Sequence, residues 1–192
     1  MKEGWLATEG ARLRYVEDGE GPALVHLQSV GESGPTAAHA LLSRRFRVIV
    51  LEAGEPAPTP ESLVRAIDQL GLETFNLLAS ASASRPALGV ALQVPERVAA
   101  LVLEAPTAIR EERRVGELPT PTLVLWGTLD PGPPAVGRRI AALMPNGHLV
   151  FVYAAGSTIG VDRPEAFAEV VGDFVDRHEA FVIPRSTTVV HP

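Results

Sequence analysis

What most constrains the fold of this chain is a set of short apolar runs, rich in Val and Leu, separated by helical segments. Residues 75–78, 98–103, 122–126 and 149–153 are each too short for a helix and nearly free of polar side chains. A strand that alternates apolar and polar positions buries one face; a strand that is apolar throughout must bury both. Such strands belong to a parallel sheet covered by helices. Two further strands are expected at residues 12–16 and Ala23–Leu27, joined by the Asp18-Gly19-Glu20-Gly21 turn, and another at residues 46–51.

The helical segments carry their own start and stop signals. Thr59-Pro60 pairs an N-cap with proline in the first turn; Leu63, Ile67 and Leu70 then share a face, and Gly71 ends the run. Other helices are expected near residues 36–42 and 88–92. The last begins at Asp162 and Pro164, with Phe167, Val170, Val171, Phe174 and Val175 on one stripe. Strand–helix alternation over 192 residues, with no dividing linker, predicts one doubly wound α/β domain over residues 1–181 and a tail over residues 182–192. The expected sheet is mostly parallel, with helices on both faces. Ligands of such sheets bind outside the carboxyl ends of the strands, so a site is expected on the loops after Leu27, Leu78, Leu103, Trp126 and Tyr153.

The net charge is −6, which gives no electrostatic reason to expect nucleic acid or an anionic membrane as partner. Absence of cysteine removes disulfides, thiolate metal sites and a thiol nucleophile. The first ten residues lack the apolar core of a signal peptide, and no run is long enough to span a bilayer. The expectation is a cytoplasmic protein with no cofactor and no metal.

Several motifs in order carry a family resemblance. Phe75-Asn76-Leu77-Leu78, five small residues, a helix and Pro95-Glu96-Arg97-Val98 are followed by Leu101-Val102-Leu103-Glu104-Ala105-Pro106. Then come Pro121-Thr122-Leu123-Val124-Leu125-Trp126-Gly127-Thr128-Leu129-Asp130 and Ala155-Gly156-Ser157, ahead of Asp162-Arg163-Pro164-Glu165. Together they span roughly residues 12–175 and resemble the α/β-hydrolase family. The resemblance implies a serine on a strained turn, a histidine base, an acid that orients it, and backbone donors for an oxyanion.

The residues at those positions depart from that chemistry. Ala79-Ser80-Ala81-Ser82-Ala83 meets the demand for small residues at a nucleophile elbow, and counting from the strand before and the helix end after it puts Ala81 at the centre. Ser157 stands where the family writes histidine. Asp130 holds the acid position, either as a remnant of the triad or as a turn-capping Asp before Pro131-Gly132. Gln28-Ser29 replaces the His-Gly of the oxyanion loop. A cap domain usually separates the strands at Leu103 and Thr122; here only a short, mostly polar stretch that includes residues 110–117 does so. The five histidines, His26, His39, His148, His178 and His191, fall within or at the start of elements or in the tail, away from the loops where a base is needed.

Three function classes follow. The first is a pseudoenzyme that binds a small apolar ligand or a protein near Gln28, Ser29, Ser80 and Ser82, with Ala81, Asp130 and Ser157 as the triad-equivalent positions. The second is an esterase-like hydrolase using Ser80 or Ser82 in a shifted elbow. The third is an assembly protein, a homodimer through the tail from Phe181 onward. Loss of the cap also predicts an uncovered apolar rim that includes Leu129 and Ile159.

Overall fold

In the computed structural model the described residues are 1–8, 11–29, 31–32, 34–52, 57–107, 109 and 112–181. Eight strands form one sheet: β1 (Lys2–Thr8), β2 (Ala11–Asp18), β3 (Ala23–Leu27), β4 (Arg47–Glu52), β5 (Phe75–Ser80), β6 (Val98–Glu104), β7 (Thr122–Gly127) and β8 (Gly147–Val152). Their order is β1-β2-β4-β3-β5-β6-β7-β8. The first two pairings, β1 with β2 and β2 with β4, are antiparallel; from β4 onward every pairing is parallel.

Helices cover both faces because the central strands are apolar on both. Leu24, Val48, Val50, Leu78, Val102 and Leu123 face α1 (Ala37–Leu42), α6 (Ile159–Asp162) and α7 (Pro164–Arg177). Val25, Ile49, Leu77, Leu101 and Val124, one residue out of phase, face α2 (Pro60–Gln69), α3 (Ser84–Gln93), α4 (Glu112–Val115) and α5 (Ala135–Leu143). This is the period-2 alternation of strand side chains, with an apolar set on each side.

Local signals place the helices. Thr59 caps α2 by accepting from Ser62 N–H at 3.2 Å, Pro60 opens its first turn, and Gly71 takes φ 68° just past its end. In α7 the stripe Phe167, Val170, Val171, Phe174 and Val175 is buried. Burying each such side chain contributes roughly 1.5–3 kcal/mol, so this stripe fixes α7 against the sheet.

Three expectations need correction. Asp162 does not begin the last helix but ends the short α6, and Pro164 starts α7. Ile159 is fully buried beneath α6 rather than exposed on a rim, because it packs into the α1–α7 core. The stretch between β6 and β7 is not merely polar: it forms α4, and Val115 and Leu118 are buried against the α2–α3 side. The tail at residues 182–192, on which the homodimer expectation rests, lies outside the described residues. Phe181, just before it, is buried edge-to-face on Phe174 and His148. Among the described residues no helix is long and apolar enough to cross a membrane.

Candidate functional site

β5 ends at Ser80, a single 3₁₀ turn covers Ala81–Ala83, and α3 begins at Ser84. The apex of this strand–turn–helix is Ala81, at φ 42°. A left-handed backbone costs a non-glycine residue roughly 1–2 kcal/mol and persists where its surroundings determine it. Here Ser84 Oγ donates to the Ala81 carbonyl at 2.7 Å, and Thr107 N–H reaches the same oxygen at 3.5 Å. The elbow therefore keeps its strained shape with a methyl group at its tip.

The serines beside the apex are engaged elsewhere. Ser80 is 1% exposed, and its hydroxyl donates to Glu32 Oε2 at 2.5 Å. Ser82, which is exposed, shares a 2.5 Å hydrogen bond with the Ser29 hydroxyl. Among the described residues neither serine is hydrogen-bonded to a histidine. Ser29 N–H, which the loop after β3 turns toward the elbow, donates to Glu32 Oε2 at 2.9 Å and to Ser80 Oγ at 3.2 Å. A backbone donor on the loop that would serve an oxyanion is thus already held by a carboxylate.

The acid and histidine positions lie on adjacent loops. Leu129 N–H donates to the Ala155 carbonyl at 2.8 Å, and a side chain at Gly127 would meet the Gly156 and Ala155 carbonyl oxygens at 2.1 and 2.2 Å. Glycine is what lets these loops approach. Asp130 Oδ1 accepts from Gly132 N–H at 2.6 Å, the bond of a turn-capping Asp. Ser157 is exposed, and Asp162 Oδ2 accepts from the preceding Gly156 N–H at 2.7 Å. Leu129, Tyr153 and Val161 are exposed on this side, at 69%, 52% and 61%.

Two cavities flank the elbow. The larger, about 590 Å³, lies on the α2–α3 side and is mainly apolar, lined by Leu27, Pro60, Leu88, Leu92, Ile109 and Val115 together with Ser29 and Ser82. The smaller, about 120 Å³, lies on the α1–α7 side, and most of the residues around it carry polar side chains, Gln28 among them. Of the four residues expected to line one ligand site, Ser29 and Ser82 therefore face the larger space and Gln28 the smaller, while Ser80 lines neither. Strand parity separates them: Leu27 and Gln28 point to opposite faces of the sheet.

Three groups on the polar side escape a reading of the sequence by motifs. Ser80 and Glu104 are register partners on β5 and β6, so both project from the same level of the sheet. Glu104 is buried; its Oε1 accepts from Gly160 N–H at 2.8 Å. Burial pushes its carboxyl up to about 8, Glu32 and Asp162 add to the rise, and hydrogen bonds from the Gly160 and Ile159 backbone oppose it. His26 and His39 are buried and joined at 2.7 Å, their rings stacked. Burial lowers both, His39 to about 4, and each ring is neutral near pH 7. A glutamate closing an otherwise apolar strand, Leu101 to Leu103, is the one signal in the sequence that points here. Among the described residues no group of three or more His, Asp or Glu side chains is arranged to hold a metal.

The chain superposes on solved hydrolases across nearly all of its length. It matches a predicted CIB-like hydrolase from Thermoplasma acidophilum with TM-score 0.79 and 17% identity, over 91% of this chain and 97% of that one. A thermophilic esterase from Thermogutta terrifontis, solved with malate bound, gives 0.79 and 17%, over 93% and 100%. A carboxylesterase from Bacillus subtilis gives 0.76 and 14%, over 91% and 91%. No protein-family model matches the sequence, and no functionally curated protein matches it.

Proposed function

We propose that this chain, which has the α/β-hydrolase fold, is a non-hydrolytic binding protein that takes a small apolar molecule in the 590 Å³ cleft beside Ala81. The observation that carries the reading is the elbow itself. Its strained apex holds a methyl group, Ser80 donates to Glu32, Ser29 N–H donates to Glu32 and Ser80, and Ser82 is bonded to the Ser29 hydroxyl. A side chain without a hydroxyl cannot attack a carbonyl, and Ser157 supplies no base near neutral pH. The cleft is of a size that suits a small ligand, and its walls are mostly apolar with a few hydroxyls at one end.

The Ser80–Glu32 bond favours a second reading, hydrolysis from a shifted nucleophile. Burial of the Ser80 hydroxyl beneath the elbow argues against it, since a substrate carbonyl must reach the attacking oxygen.

1-Naphthyl acetate tests the binding reading. Saturation-transfer NMR is expected to show saturable binding without release of 1-naphthol. Ser82→Trp, an exposed substitution that fills the cleft, is expected to weaken binding at least about tenfold, a change of roughly 1.4 kcal/mol, with little change in Tm. Binding that ignores the tryptophan, or rapid naphthol release from the unmodified protein, contradicts the proposal.

A further inference from the structure

The smaller cavity holds an unmatched donor and an unmatched acceptor, and the direction of its hydrogen bonds follows from one backbone amide. Thr36 N–H can only donate, and at 2.8 Å it donates to His39 Nδ1, with the Thr36 hydroxyl on the same nitrogen at 2.9 Å. His39 Nδ1 is therefore the acceptor of a neutral ring and Nε2 carries its proton. That proton is directed at His26 Nδ1, 2.7 Å away. His26 in turn carries its own proton on Nε2, and this N–H is buried without a partner among the described residues. Gln28 completes the set. Its amide nitrogen donates to the Gly34 carbonyl at 2.9 Å, which fixes the orientation of the side chain, and its oxygen is buried without a partner among the described residues. His26 and Gln28 are 4% and 2% exposed, and both line the 120 Å³ space, with Thr158 and Val161 at its exposed rim.

We infer that this cavity is a second binding site, distinct from the apolar cleft, for a small uncharged molecule bearing a primary carboxamide. Its carbonyl oxygen accepts from His26 Nε2–H, and its N–H group donates to Gln28 Oε1. His26 and Gln28 lie two residues apart on one face of an extended segment, about 6.6 Å along the strand. A primary carboxamide carries an acceptor and a donor on neighbouring atoms, so one planar group can meet both with two ordinary bonds. Charge excludes the related ions. A carboxylate meets the negative charge of Glu32, which lines the space. An ammonium ion cannot accept from His26 and leaves that donor buried and unpaired, which is costly. The volume is near that of an apolar cavity that holds benzene, so a ligand of about four to six heavy atoms fits.

The inference is independent of the apolar cleft and of whether the protein hydrolyses anything. Propionamide, propionate and propylammonium, three probes of similar size, test it by NMR of the protein labelled at its histidines. Propionamide is expected to move the His26 ring resonances saturably, in the millimolar range set by so small a ligand, and to raise Tm. Gln28→Met keeps the length of the side chain and removes the acceptor; it is expected to weaken propionamide binding about tenfold or more. No His26 response to propionamide means that water alone fills the cavity and overturns the site. An equal or larger response to propionate or propylammonium overturns the ligand class, and a propionamide response confined to residues of the apolar cleft places the ligand elsewhere and also overturns it.

Discussion

Glu104→Gln is expected to make the protein more stable above neutral pH by a few kcal/mol, and to flatten its stability profile there. The folded carboxyl sits at about 8 because it is buried, against about 4.5 in the unfolded chain. Between those values the folded state holds a proton that the unfolded state has released. Stability from this group is therefore fully present below 4.5 and falls by about 1.4 kcal/mol per pH unit until the folded value is passed. The glutamine amide matches the protonated acid in shape and keeps an oxygen for Gly160 N–H, but it cannot ionise. The buried histidines act in the opposite sense. Both are lowered, so their contribution is present above about 6.5 and is lost as pH falls toward 4. The opposing slopes overlap below 6.5, so the range in which Glu104 alone sets the slope runs from pH 6.5 to about 8, above which the two profiles run parallel. Urea denaturation across that range is the measurement; parallel profiles for the two proteins within it contradict the assignment.

The second large effect concerns chemistry rather than stability. Ala81→Ser alone supplies a hydroxyl without a base, and Ser157→His alone supplies a base with nothing to activate. Loss of either group costs several powers of ten in related triads. The double variant, with Asp130 available to orient the new ring, is expected to show weak esterase turnover at most. The reason is visible in the loop after β3, where Glu32 holds Ser29 N–H and places a negative charge beside the position where an oxyanion would form. Adding Glu32→Ala releases that donor from the carboxylate, leaving only its longer, 3.2 Å bond to Ser80 Oγ, and removes the charge. Because one oxyanion donor is worth about 10²- to 10³-fold, the triple variant is expected to turn over p-nitrophenyl acetate roughly 10- to 100-fold faster than the double. A triple variant no faster than the double shows that Glu32 does not block the hole.

The central architecture was legible because it is written in apolar runs. β3 falls at Ala23–Leu27 as expected, β5 through β7 extend the expected runs by a residue or two, and β8 starts two residues before its expected run and stops at Val152, one short of its end. β1 was not legible: Leu6 is its only buried residue, so an edge strand on β2 left no alternation to read. α5 was missed for a similar reason, with only Gly137 and Ile140 buried and no side-chain cap at Pro134. At the elbow, counting from the flanking motifs placed the apex at Ala81, and its φ of 42° agrees.

What spacing could not reveal was convergence. Glu32, Ser80 and Glu104 come from a loop and two strands far apart in sequence, and only strand register aligns them. His26 and His39 read as unrelated structural residues, one in a strand and one in a helix, yet packing of α1 on the sheet stacks their rings. Ile159 shows the same limit from the other side, since a four-residue helix turned an apolar loop residue into core.

Ala81 occupies the position where an attacking group would be needed. The most direct measurement is p-nitrophenyl acetate turnover by the unmodified protein, run beside Ser80→Ala and Ser82→Ala, with fluorophosphonate labelling of all three. The expected result is no labelling and a background rate unchanged by either substitution. Serine labelling, or turnover abolished by Ser80→Ala or Ser82→Ala, would contradict the account and make this chain a hydrolase with a displaced nucleophile.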